Sequence, residues 1–136
     1  METTLVLLKP DAVRRQLMSE IIGRFERRGF TFRGMRLLQL DRATAEQHYA
    51  EHAERPFFGE LVDFITSGPI VALALQGNGA VATVRDMMGK TNPLDSAPGT
   101  IRGDLALELA ENIIHGSDSP ESAERELAIY FPDGLL

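Results

Sequence analysis

Gly68-Pro69-Ile70-Val71-Ala72-Leu73-Ala74-Leu75-Gln76-Gly77-Asn78-Gly79-Ala80-Val81-Ala82 is the stretch on which the fold turns. Ile70 to Gln76 reads as the clearest strand of the chain, and Gly77 to Gly79 as the turn into a helix from Ala80 to Met88. The glycines also fit G-x-G-x-x-A, a pattern that seats a dinucleotide between a strand and a helix. A dinucleotide site would need a second parallel strand ending in an acidic ribose ligand. After Met88 the chain instead enters Gly89 to Gly103, a loop of about 15 residues rich in Pro, Gly, Thr and Asn, a length that is usually functional or disordered. The glycines are therefore read as a tight turn and the loop as functional.

Working outward, Thr4 to Leu8 is an apolar run ended by Pro10, which suits a buried strand. Ser19 is expected to cap a helix with Ile21, Ile22 and Phe25 on one face, Arg27 and Arg28 in its last turn and Gly29 beyond. A second strand is expected from about Arg33 to Leu40, and Asp41 should cap a helix running to about His52. Pro56 opens another helix, with a stripe of Phe58, Leu61, Val62 and Ile65, closed by Gly68-Pro69. Beyond the long loop come a weak helical stretch around Leu105 to Glu111, a short strand at Ile113-Ile114 and a final helix starting at Ser119-Pro120-Glu121. The order predicts an α+β fold, a ferredoxin-like β-α-β-β-α-β domain. Its four-stranded antiparallel sheet would be covered by helices, with the long loop before the last strand and one domain spanning residues 1–136.

Composition narrows the chemistry. The 136 residues carry 14 Lys and Arg against 20 Asp and Glu, a formal charge of −6, and no cysteine. Disulfide scaffolds, Cys-ligated metal sites and thiol catalysis are excluded. Leu5 to Leu8 and Ile70 to Leu75 are far short of the roughly 20 residues that cross a bilayer. Met1 to Thr4 offers no basic segment ahead of the first apolar run, so no secretory signal and no membrane are expected, and the location is read as cytoplasmic. An acidic chain is a poor nonspecific partner for nucleic acid, and a phosphate ligand would need a local cluster of cations.

Three short patterns suggest rival chemistries. His48-Tyr49-Ala50-Glu51-His52 has the H-x-x-E-H spacing that on a helix brings two imidazoles to one face beside a carboxylate, as in some zinc enzymes. Two ligands do not make a catalytic zinc site, and an ordinary polar helix face accounts for the pattern. Arg28-Gly29-Phe30-Thr31-Phe32 resembles the start of an RNA-binding strand motif. It falls at the second strand rather than the third, and the first strand has no aromatic to stack a base. Phe30 and Phe32 are read as core. The strongest constellation is later: His115 at a strand end, Asn112 three residues before it, Gly116-Ser117-Asp118 after it. Lys9, Arg85, Thr91 and Arg102 are the donors that an anionic phosphate chain needs.

Asn112-Ile113-Ile114-His115-Gly116-Ser117-Asp118-Ser119 and Pro98-Gly99-Thr100-Ile101-Arg102 lie in order with Lys9-Pro10-Asp11, Arg55-Pro56-Phe57-Phe58, Ser67-Gly68-Pro69 and Thr91-Asn92-Pro93. With these segments the chain resembles nucleoside diphosphate kinases over essentially its whole length. The resemblance implies transfer of the γ-phosphate of a nucleoside triphosphate to a nucleoside diphosphate through a phosphohistidine, serving ribo- and deoxynucleotide pools. It implies His115 as nucleophile, Glu126 as the carboxylate orienting its ring, and Ser117 as a hydroxyl near that pair. Arg55, Arg85, Thr91 and Arg102 would bind phosphates, Lys9 and Asn112 would hold the sugar 3′-hydroxyl and the phosphate near it, Tyr49 would stand near the γ-phosphate, and the base would stack on Phe57. Mg²⁺ would ride on the nucleotide phosphates, with no metal ligand on the protein. The chain is further expected to form a homo-oligomer, a hexamer in preference to a tetramer, with no obligatory nucleic-acid partner. Gln16 and Ser19 stand where the family commonly has glycines, and Leu105 where it usually has an aromatic.

Overall fold

The computed structural model describes all residues from Met1 to Leu136. Four strands form one antiparallel sheet: β1 (Glu2–Leu8), β2 (Thr31–Leu38), β3 (Ile70–Gly77) and β4 (Ile114–Gly116), in the spatial order β2-β3-β1-β4. Seven helices connect or cover them: α1 (Pro10–Arg14), α2 (Met18–Arg28), α3 (Arg42–His48), α4 (Phe58–Ile65), α5 (Ala80–Met88), α6 (Ile101–Leu105) and α7 (Pro120–Tyr130). This is the expected α+β arrangement. β3 pairs antiparallel with both β1 and β2, so the glycines of the G-x-G-x-x-A stretch serve no parallel βαβ unit. Gly79 adopts φ +57° at the N-terminus of α5, a left-handed conformation that glycine takes at no steric cost.

β1 explains the architecture. Leu5, Val6, Leu7 and Leu8 are all fully buried because alternate side chains enter different cores. Val6 and Leu8 join Leu73 and Leu75 against Ile21 and Phe25 of α2 and Val84 and Met88 of α5. Leu5 and Leu7 join Ile70 and Ala72 against Ala45 of α3, Val62 and Ile65 of α4, and Tyr130 of α7. With both faces covered, a continuous apolar run replaces the alternation of a half-exposed strand. Phe30 and Phe32 pack against the first core, which removes them as a base-stacking platform.

Several boundaries differ from the sequence reading. Ser19 caps nothing: Leu17 is the N-cap residue, without a side-chain hydrogen bond, and Ser19 stands inside α2. The cause is the short helix α1, which the sequence reading lacks. Gln16 leaves it at φ +60°, and the Leu17 amide bonds the Ala12 carbonyl, so α2 starts early. A non-glycine residue is uncommon there. β2 begins at Thr31 rather than Arg33. The helix capped by the Asp41 carboxylate stops at His48, and a separate 3₁₀ turn covers Ala50–His52. α4 begins at Phe58, two residues after Pro56. The expected Leu105–Glu111 helix lies earlier, as α6, where the Thr100 hydroxyl caps the Gly103 amide. A side chain at Gly103 would overlap the carbonyl oxygen of Ala97, so glycine is required for this close turn. The long loop is therefore not wholly irregular: a 3₁₀ turn at Pro93–Asp95 and the start of α6 give it form.

Candidate active site

The register of β4 sets the site. His115 lies opposite Leu7, so its side chain is on the sheet face covered by α3, α4 and α7. There it meets Glu126 of α7: Nε2 is 2.7 Å from Oε1 of the carboxylate, which also accepts the Ser117 hydroxyl at 2.9 Å. Ser119 caps α7 through the Ser122 amide, with Pro120 in the first turn, which fixes the helix start that carries Glu126 into place. Glu126 and Ser117 are buried, whereas the His115 side chain retains 22% exposure and its Nδ1 takes no hydrogen bond from the protein. The ring is thus held by one nitrogen and open at the other.

The backbone before β4 is strained. Ile113 has φ +62°, and the Ile114 amide bonds the Asn112 carbonyl at 2.8 Å, closing a γ-turn around a β-branched residue. The turn persists because its surroundings over-determine it. The Ile113 amide donates to Oδ2 of Asp11 at 3.1 Å, its carbonyl accepts from the Lys9 amide at 2.9 Å, and its side chain is fully buried. One consequence is that Asn112 faces Lys9. The Lys9 ammonium donates to Oδ1 of Asn112 at 2.9 Å, and the Asn112 amide group donates to the Thr91 carbonyl at 3.1 Å.

A cavity of about 1040 Å³ opens over these residues. Its wall includes Lys9, Tyr49, Phe57, Arg85, Thr91, Arg102, Asn112, His115 and Glu126. Nine of the eleven residues singled out in the sequence thus meet at one cavity. Ser117 lies behind the wall, fully buried against Glu126. Arg55 is not on the wall; it is exposed on the turn between the 3₁₀ segment and α4. Phe57 is 41% exposed and sits on that wall.

The electrostatics differ from one cation to the next. Burial, with the charge of Arg102, lowers Lys9 to about 8 although Asp11 opposes this. Arg102 is itself buried and brought down to about 10 by desolvation and by Arg85. Its guanidinium donates to the carbonyls of Asn112, Lys90 and Ile114, so it staples the long loop to the strained turn. Arg85 donates to the Gly116 carbonyl at 3.1 Å. With Arg125, an acidic protein thereby gathers four cations at one cavity wall.

The H-x-x-E-H pattern dissolves in three dimensions. α3 ends at His48, Glu51 pairs with Arg125 at 2.8 Å, and the cluster with metal-ligand chemistry is instead His48, His115 and Glu126. His48 is buried with Nδ1 unpartnered, its ring edge-on to His115 at a centroid distance of 4.7 Å. Burial, followed by the charge of His115, holds it down to about 2, a neutral imidazole. Sequence reasoning gives no role to Asp11 or Arg125; the Lys9-Pro10-Asp11 segment contains the first, nothing local marks the second, and His48 is marked only through the H-x-x-E-H pattern.

The nucleoside diphosphate kinase family model matches residues 2–135. The chain belongs to the nucleoside diphosphate kinase family. A nucleoside diphosphate kinase of Brevibacillus brevis is 60% identical over 131 residues, covering 96% of this chain and 89% of its own. That of Deinococcus radiodurans is 60% identical over 136 residues, covering 100% and 99%. A halophilic nucleoside diphosphate kinase from Halobacterium salinarum, solved in complex with CDP, superposes with a TM-score of 0.96 at 46% identity, covering 99% of this chain and 91% of its own. A family protein from Babesia bovis gives a TM-score of 0.97 at 41% identity, over 100% and 93%. The chain is a kinase acting on nucleotides, and no helix is long and apolar enough to cross a membrane.

Proposed function

We propose that the chain, as one domain over residues 1–136, transfers the γ-phosphate of a nucleoside triphosphate to a nucleoside diphosphate through a phosphohistidine at His115. The observation that carries the reading is the asymmetry of its ring: Nε2 is engaged by a buried carboxylate while Nδ1 is free on a cation-lined cavity. In the first half-reaction the Nδ1 lone pair forms the N–P bond as the bond from the γ-phosphorus to the bridging oxygen breaks. The electron pair leaves with the nucleoside diphosphate. The Nε2 proton stays in the hydrogen bond to Glu126, which stabilises the positive charge that builds on the ring. The second half-reaction reverses these steps with a different diphosphate. Such transfer depends mainly on in-line positioning and charge neutralisation, which Lys9, Arg85, Arg102 and Thr91 supply.

The substrate is the Mg²⁺ complex of the nucleotide. Cationic donors line the phosphate side of the cavity and suit phosphate oxygens, not a hard cation, so the ion belongs on the nucleotide. Phe57 offers a face on which any base can stack without a hydrogen-bond code. Lys9 and Asn112 address the sugar 3′-hydroxyl, which ribo- and deoxynucleotides share, so the activity serves both triphosphate pools in the cytoplasm. Tyr49 stands near the γ-phosphate, and Arg55, two residues before Phe57, is a further phosphate ligand.

Homo-oligomer assembly is supported by β2, an edge strand whose Met35 and Leu37 are 62% and 66% exposed; the preference for a hexamer rests on the family resemblance alone. Light scattering separates it from a tetramer. The kinetic test is initial velocity with both nucleotides varied: parallel double-reciprocal lines are expected, and intersecting lines would refute a shared site that empties between half-reactions.

A further inference from the structure

We propose that Arg125, clamped by Glu51, is a positioning residue for the phosphotransfer, holding Glu126 aimed at His115 through the carboxylate's outer oxygen. The inference rests on the reading of His115 as the phosphate-accepting residue. Oε1 of Glu126 takes both hydrogen bonds, from His115 and Ser117, and Oε2 has the Arg125 guanidinium at 3.6 Å. The carboxylate side chain is only 6% exposed. A buried charge with one oxygen satisfied and the other bare is costly.

The neighbours leave Arg125 as the source of compensation. His48 and Tyr49 face Glu126 from the end of α3, His115 from β4, and Tyr130 from α7 itself. Burial keeps His48 neutral at about 2 and pushes Tyr49 up to about 12, and it raises Tyr130 as well. None of these three supplies positive charge near neutral pH. Arg125 is the permanent cation within ion-pair distance of Glu126.

Adjacent helix residues diverge and do not ordinarily pair. Arg125 turns back over Glu126 because its anchors lie on α3 and the 3₁₀ turn after it: Oε1 of Glu51 at 2.8 Å and the Gln47 carbonyl at 3.4 Å. The glutamate of the H-x-x-E-H pattern thus acquires a task unrelated to zinc. A chain of charge, Glu51 to Arg125 to Glu126 to His115, links the segment that carries Tyr49 to the reacting ring. Because the role passes through Glu126, its loss should slow phosphorylation of His115 without weakening nucleotide binding.

The experiment is single-turnover phosphorylation of the full-length protein by labelled ATP. The variants are Arg125→Gln, Arg125→Lys, Glu51→Gln, Glu126→Gln and the double variant Arg125→Gln with Glu126→Gln. Arg125→Gln is expected to slow label formation about tenfold with KM within about twofold, because misplacing a catalytic group costs rate rather than affinity. Arg125→Lys should restore most of the rate, and Glu51→Gln should give a smaller loss of the same kind. In the double variant the Arg125 change should add nothing to the loss from Glu126→Gln. If Arg125→Gln does not fold, Glu51→Gln, which frees Arg125 without removing it, decides by the same readout. A full additional loss in the double variant, a rise in KM at unchanged rate, or no effect would overturn the inference. Wild-type protein that takes no label at His115 would instead refute the phosphohistidine reading itself.

Discussion

Nε2 of His115 lies 2.7 Å from Oε1 of Glu126, and the Ser117 hydroxyl shares that same oxygen at 2.9 Å. Two donors on one carboxylate oxygen fix both the tautomer and the tilt of the ring, leaving Nδ1 as the nitrogen with a free lone pair. Glu126→Gln preserves shape but removes the charge that balances a developing imidazolium. It is expected to lower kcat about 10²–10³-fold with little change in KM. Ser117→Ala removes one donor to a charged group and should lose less, about tenfold. Steady-state kinetics on both variants, with melting temperatures as controls for folding, checks the order.

Lys9 gives a pH signature of defined sign. Its folded value of about 8 lies below the ordinary 10.5. Above about pH 8 the folded chain loses the ammonium that would face phosphate, so kcat/KM should fall along an alkaline limb centred near 8. For stability the sign is opposite. Below about 8 the lysine is protonated in both states and the folded chain bears the full cost of a buried charge. Between about 8 and 10.5 the unfolded chain binds more protons, so this group's contribution to stability rises with pH. An alkaline limb at 10.5 or above would contradict the burial argument.

Arg102 and Arg85 are equivalent cations in the sequence but not in the structure. Arg102→Ala leaves three carbonyls of the loop and strained turn without their donor, whereas Arg85→Ala frees one. Arg102→Ala should therefore destabilise by about 3 kcal/mol, a fall of roughly 6–12 °C in Tm, and Arg85→Ala by under about 1 kcal/mol. Thermal unfolding without nucleotide measures both, and equal shifts would show that the staple does not bear on stability.

The strand and helix order is legible because local signals agree with the tertiary environment. The apolar run at Leu5 to Leu8, the cap at Ser119 with Pro120 behind it, and Gly79 before α5 each specify their element within a few residues. Boundaries fail where a neighbouring turn overrides the local signal. Ser19 is a good capping residue in isolation, yet Gln16 and the Leu17-to-Ala12 hydrogen bond start α2 before it. Much of the site is likewise legible as residue types along the chain, with Lys9 and Asn112 meeting across 103 residues. The γ-turn at Ile113 is invisible because no residue pattern encodes backbone strain. The Glu51–Arg125 pair is invisible because it joins two elements whose packing only the fold defines.

The phosphohistidine is tested most directly by incubating the protein with γ-phosphate-labelled ATP, recovering the chain and challenging the label with acid and alkali. The expected result is a label that is acid-labile and alkali-stable, as an N–P bond is, and absent from His115→Gln, because His115 is the cavity histidine whose ring is oriented by a buried carboxylate. An acid-stable label, or a label and nucleotide transfer that survive in His115→Gln, would contradict it.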